Sequence, residues 1–335
     1  MLHLRLRVPG ELVDRVVALF ESERSAVNLL VLPQAYRDPV GTMVMADLPR
    51  ESAEPVLSAL HELGVSDRGS ITIVDDQVVI SKAAEEAEQA APGDPEDVVI
   101  WDLIEDQARE DARFTFAFVA FLALATLIAS IGRLQDQPIL IIAAMIVGPE
   151  FGPMAAISLA FVRPKWELLP RAVGTLVGGY LLALAVSSAV WTVVYRLGGF
   201  TAAHLHHGPR TDFIVQPNVW SFVIAVLAGV AGILSLTTDK SSNLVGVFIS
   251  VTTIPAVGTL SLAVATLDAH FAKESIYQLV INIAGIIGSG MVTLAVQRLV
   301  WWRRGAGPRR RLSRAASTGS GHSGGQPWQR HGLPR

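Results

Sequence analysis

Two hydrophobic rhythms divide this chain. Residues 2–8 alternate apolar and polar side chains, the period of a strand with one buried face. Pro9 then opens a stretch whose apolar positions Leu12, Val13, Val16, Val17, Leu19 and Phe20 recur at helical spacing. Residues 27–32 and 42–48 follow as two β-rich runs on either side of the turn-forming Arg37-Asp38-Pro39. A second helix is predicted over 50–63, with Val56, Leu57 and Leu60 on its apolar side and Gly64 as its stop. A last strand covers 70–80. Strand, helix, strand, strand, helix, strand is the order of a ferredoxin-like split βαβ unit, so residues 1–80 are expected to form an α+β domain.

From residue 114 the rhythm gives way to long apolar runs. About 20 residues at 1.5 Å rise cover the hydrocarbon core of a bilayer. Runs of that kind lie at 114–131, 138–161, 169–197, 219–236, 244–267 and 276–302. One alone reads equally well as a buried helix of a globular core. Six in succession predict an α-helical polytopic membrane domain over 114–302.

Composition sharpens this division. The chain is 51% hydrophobic and 17% charged, without cysteine, which excludes disulfides and thiolate metal sites. Residues 81–97 read as a linker rich in Ala, Glu, Gly, Asp and Pro, and 97–113 as an acidic amphipathic helix. The acidity of that helix disfavours adhesion to anionic lipid and favours packing on the protein's own basic loops. Residues 303–335 carry eight arginines and no acid, a basic tail expected to be disordered. Arg163, Lys165 and Arg171, Lys240 and this tail lie on one side of the six spans. The positive-inside rule then puts both termini in the cytoplasm, the α+β domain in the cytosol and the protein in the cell (inner) membrane.

The membrane half also resembles itself. Residues 120–130 share Ala, Leu, Ala, Ile and Ser with 225–235 at an offset of 105. Pro149-Glu-Phe-Gly152 and Pro255-Ala-Val-Gly258 repeat Pro-x-x-Gly at an offset of 106, in the second and fifth spans. Gly178, Leu184, Ala185, Val186, Val190 and Trp191 recur as Gly288, Leu294, Ala295, Val296, Val300 and Trp301, offset 110. A duplication of three spans inserts its second copy upside down, giving the 3+3 inverted repeat frequent in secondary transporters.

Candidate chemistry concentrates at the Pro-x-x-Gly pairs. Glu150 lies inside an apolar run, between Pro149 and Gly152 and ahead of Pro153. An intramembrane carboxylate is costly and marks a proton or cation site, or else a buried structural hydrogen bond. Thr252 and Thr253 precede Pro255 and Gly258, and Asn282 sits in the sixth span; each is polar enough to face the same cavity or to bond between helices. The second and fifth spans are expected to break at these prolines and to meet, with Glu150 beside residues 255–258. His204, His206 and His207 cluster in the loop expected outside, with Asp212 the nearest carboxylate, and read as loop histidines rather than a metal centre. No phosphate-cradling glycine loop, nucleophile elbow or zinc-protease motif occurs, so neither an enzyme, a cofactor nor a nucleic-acid partner is expected.

The stretch Ile141-Ile-Ala-Ala-Met-Ile-Val-Gly-Pro-Glu-Phe-Gly-Pro153 resembles the signature of a bacterial and archaeal family of uncharacterised hydrophobic membrane proteins, a domain-of-unknown-function family. That signature reads approximately I-G-A-M-L-I-x-P-L-M-G-P. Ala144, Met145, Pro149, Gly152 and Pro153 match it, Ala143 replaces the glycine, and Glu150-Phe151 replaces Leu-Met. The resemblance covers roughly 112–300 and implies a multi-pass membrane protein without an established activity. It supplies no catalytic residues, and its apolar residue at the place of Glu150 separates that carboxylate from any family mechanism.

These readings lead to a transporter or channel-like protein of a small solute or ion, with a cytosolic domain that regulates it. The alternative is a non-transporting sensor or scaffold anchored in the membrane. Expected partners are membrane lipid, the solute and, through the edges of the small sheet, further copies of the chain.

Overall fold

The computed structural model describes residues 1–75, 81–91, 98–202, 205, 210–212, 219–238 and 253–318. It divides into two units, residues 1–100 with 301–335, and residues 101–300.

The first unit is built on β1 (Leu2–Val8), α1 (Val13–Ser22), β2 (Val27–Arg37), β3 (Val40–Leu48), α2 (Arg50–Glu62), the single turn α3 (Val65–Arg68) and β4 (Ser70–Asp75). The strands form one antiparallel sheet in the order β2-β3-β1-β4. With helices after the first and third strands, this is the connectivity that the element order calls for. Strand alternation has its predicted effect, since Leu2, Leu4, Leu6 and Val8 are all fully buried. Each such aliphatic side chain contributes about 1.5–3 kcal/mol of burial. Val16, Leu19 and Phe20 of α1 and Val56, Leu57 and Leu60 of α2 supply the rest of this core. Gly64 ends α2 as predicted, at a φ of 75° that a residue with a Cβ adopts only under strain. β2 runs five residues further than its sequence pattern, through Pro33. It lies at the sheet edge, where a missing amide donor costs no ladder bond. Within the segment read as a linker, α4 (Lys82–Ala90) forms behind Ser81, whose hydroxyl accepts a 3.0 Å bond from the amide of Ala84.

The second unit starts with α5 (Trp101–Asp111), the acidic amphipathic helix. Glu105 pairs with Arg163 at 2.8 Å and Lys165 at 3.0 Å, and the Arg163 guanidinium stands 5.3 Å over the Trp101 ring. Among the described residues four helices are long and apolar enough to cross a membrane: α6 (Phe116–Leu134), α9 (Leu168–Arg196), α10 (Val219–Thr237) and residues Ala269–Val300 of α12 (Ala269–Thr318). α7 (Pro138–Val147) and α8 (Phe151–Val162) meet at a bend of 56° and make a fifth crossing if taken as one broken span. α11 (Ile254–Thr266) is a shorter apolar helix; most of the residues that the sequence pattern joined to it, 244–252, lie outside the described ones. α12 continues without a break past 302, where the apolar run ends.

Two of these helices are enclosed. Pro153 to Ala160 in α8 and Ile254 to Ala263 in α11 are buried without interruption. A helix apolar on all sides is stable where its circumference is covered by protein, as here, or by lipid. By contrast, α9 exposes Val177 (50%) and Leu181 (61%) on one stripe, as a lipid-facing helix does.

Candidate functional site

The break between α7 and α8 follows from local chemistry. The amide of Gly148 still closes on Ala144 at 3.2 Å, but Pro149 has no amide to continue the ladder, and Gly148 turns extended (ψ 128°). Pro153 is the third residue of α8 and Pro255 the second of α11. In a first turn the missing amide has no partner to lose, so these prolines open helices instead of breaking them, and the interior penalty of about 3 kcal/mol does not arise.

Glu150 and Thr253 occupy the cap positions at the N-termini of the two enclosed helices. Their side chains meet: Thr253 Oγ1 donates to Glu150 Oε1 at 2.8 Å, with the two residues 1% and 0% exposed. The buried carboxylate thus lies where the partial positive ends of α8 and α11 converge, which offsets part of its desolvation cost. Tyr180 of α9, also buried, brings its phenol against Thr253 and close enough to feel the charge of Glu150. Gly148 keeps the space open, because a Cβ there would run into the Glu150 carboxylate and the Ile254 side chain. Gly152 does the same for Asp111 of α5, whose Cβ would stand 2.7 Å from an added methyl.

A second polar cluster lies further along α11. Ser130 of α6, Ser187 of α9 and Ser261 of α11 are fully buried, with Ser261 Oγ 3.1 Å from Ser130 Oγ and 3.0 Å from Ser187 Oγ. The carbonyl of Gly258 accepts from Ser261 (2.7 Å) and Ser130 (3.0 Å). Gly258 permits this approach, since a Cβ would meet Ala129 Cβ at 3.0 Å, the Ser130 amide at 3.1 Å and the Thr126 carbonyl at 3.2 Å. Two of those atoms are backbone and cannot swing aside. Gly258→Ala is therefore expected to lower stability by about 1–3 kcal/mol, read as a lower unfolding midpoint in detergent. An unchanged midpoint would mean that α6 and α11 are loosely packed.

Of the residues singled out in the sequence, Glu150, Pro149, Gly152, Pro153, Thr253, Pro255 and Gly258 line these two helix starts. Asn282 is fully buried on α12, on the face that also carries Gln278 and Ser289. Thr252, His204, His206 and His207 lie outside the described residues. Among the described residues no group of three or more His, Cys, Asp or Glu side chains has metal-binding geometry. Sequence reasoning missed Tyr180 and the serine cluster. Thr126 and Ser130 of α6, four apart on one helix face, were the available signal.

The described residues thus define a helical protein with four apolar helices of membrane-crossing length, a bent pair and an N-terminal antiparallel sheet. Residues 145–288 match the model of the family described as Domain of unknown function (DUF389), which bears out the resemblance carried by Ala144, Met145, Pro149, Gly152 and Pro153. The chain is also similar to the uncharacterized protein MJ0678 of Methanocaldococcus jannaschii, 23% identical over 257 residues, covering 76% of this chain and 77% of that protein. No solved structure matches.

Proposed function

We propose that this membrane protein moves a small solute or ion through a path centred on Glu150, and that its N-terminal domain regulates that movement. The observation that carries the reading is the carboxylate of Glu150, 1% exposed, hydrogen-bonded at 2.8 Å to Thr253 where two enclosed helices begin. Carboxylate and hydroxyl oxygens are hard ligands suited to a proton or small cation, and an ionisable group at such depth is retained at a cost. The matched starts of α8 and α11, together with the sequence offsets of 105, 106 and 110, support a 3+3 inverted repeat with six spans. The test is flux into proteoliposomes across a panel of ions and small metabolites. Flux of none of them would favour the non-transporting sensor or scaffold, a reading that draws on the closure around Glu150.

In this reading both termini face the cytoplasm of a cell membrane. The chain has no cysteine, so a single introduced thiol reports cleanly. Leu205 is fully buried and a poor reporter, whereas Arg210 is exposed. Arg210→Cys is expected to react with an impermeant thiol reagent on intact cells. Labelling only after the cells are opened would reverse the orientation.

A further inference from the structure

Where α8 ends and α9 begins, a cavity of about 420 Å³ lies between that connection and α5. Arg109, Lys165 and Arg171 line it, with Glu105, Glu167 and Trp166. Glu105 is already held by Arg163 and Lys165. Arg109 and Arg171 make no ion pair among the described residues, so two guanidiniums face the cavity with Glu167 as the remaining acid. The lining carries three cations against two carboxylates, one net positive charge.

The surroundings are those of a membrane boundary. Trp166 is 61% exposed and takes Phe161, 47% exposed, edge-on at 6.1 Å, the arrangement of an aromatic anchor at headgroup level. Two residues beyond Arg171 the exposed apolar stripe of α9 begins: Val173, Val177 and Leu181, one side chain per turn. A polar cavity with unpaired guanidiniums, an indole at its mouth and an apolar track leading from it matches a molecule with a charged head and an acyl tail.

We propose that this cavity binds the phosphodiester of an anionic phospholipid, with Arg109 and Arg171 holding the phosphate. Guanidiniums present paired N–H donors that match phosphate oxygens. The single net positive charge of the lining is balanced by a headgroup of net charge −1, and not by a zwitterionic one. The acyl chains run along Val173, Val177 and Leu181. The assignment does not depend on whether the chain transports anything.

The test is thermal unfolding of the purified full chain in detergent, titrated with phosphatidylglycerol, phosphatidylcholine or inorganic phosphate. Phosphatidylglycerol is expected to raise the midpoint saturably, with little response to the other two. Each arginine is worth about fivefold in affinity, so Arg109→Gln with Arg171→Gln should raise the half-saturating lipid concentration about twenty-fivefold. Both side chains are exposed, so the double variant is expected to fold, and Arg210→Gln should leave the titration unchanged. Equal potency of phosphatidylcholine, equal potency of free phosphate, or an unshifted titration in the double variant would each overturn the assignment.

Discussion

Replacing Glu150 by glutamine is expected to abolish solute flux, or uncouple it from its driving ion, while the protein still folds and inserts. The amide oxygen of glutamine accepts from Thr253 Oγ1 as the carboxylate does, so the 2.8 Å bond survives. The ionisable charge is what disappears. Glu150→Asp keeps the charge but draws it back by one methylene, and partial flux is the expected result. Glu150→Ala acts differently: it leaves the fully buried Thr253 hydroxyl without this acceptor, at about 1–3 kcal/mol. If Glu150 serves only to join α8 and α11, glutamine would preserve flux and alanine would lose both flux and stability. The pair of variants separates a chemical role from a structural one, provided that insertion is checked by the Arg210→Cys reporter.

The N-terminal unit was legible because each of its elements carries a period. Leu2, Leu4, Leu6 and Val8 lie on one face of a strand, and their complete burial leaves no other register open to β1. α4 was read as linker although Lys82–Ala90 consists of strong helix formers behind the Ser81 cap; the Gly, Asp and Pro that follow hid it in the composition of the wider segment. In the membrane half, hydropathy locates apolar runs but not their depth or curvature. The bend of 56° was readable from Pro149, whereas the enclosure of α8 and α11 on all sides was not, because their residues are no more apolar than those of lipid-facing helices. Partner choice was the hardest part. Glu150 and Thr253 are 103 residues apart, and only the matched Pro-x-x-Gly pairs suggested that they meet.

The acidic helix α5 packs as its charge pattern predicts. Glu105 is taken up by Arg163 and Lys165, the basic connection between α8 and α9 on which the helix was expected to pack. Arg133 is the converse case. Its place at the end of an apolar run suggests a surface charge, but its side chain is 2% exposed.

Arg133 also carries the second large expected effect. From the last turn of α6 it donates to Thr211 Oγ1 at 2.8 Å, to the carbonyl of Leu205 at 2.7 Å and to Asp212 Oδ1 at 2.8 Å. Its guanidinium also stands 5.9 Å over the ring of Phe271, and Asp136 receives the Thr211 hydroxyl at 3.0 Å. One buried cation thus ties Leu205, Thr211 and Asp212 to α6. Arg133→Met removes every one of those donors and is expected to cost about 3 kcal/mol. The loss falls at the lower end for a buried pair because the Asp212 side chain is 40% exposed and rehydrates. Asp212→Asn is expected to cost less, since the Thr211 and Leu205 oxygens still accept from the guanidinium. The double variant should be no less stable than Arg133→Met alone, because the aspartate has little left to contribute once the cation is gone. Unfolding midpoints of the four proteins in one detergent give the coupling directly. Strictly additive losses would mean that the ion pair is incidental, and an Arg133→Met midpoint equal to the parent's would mean that Leu205 is held by its apolar contacts with Trp191 and Phe200 instead.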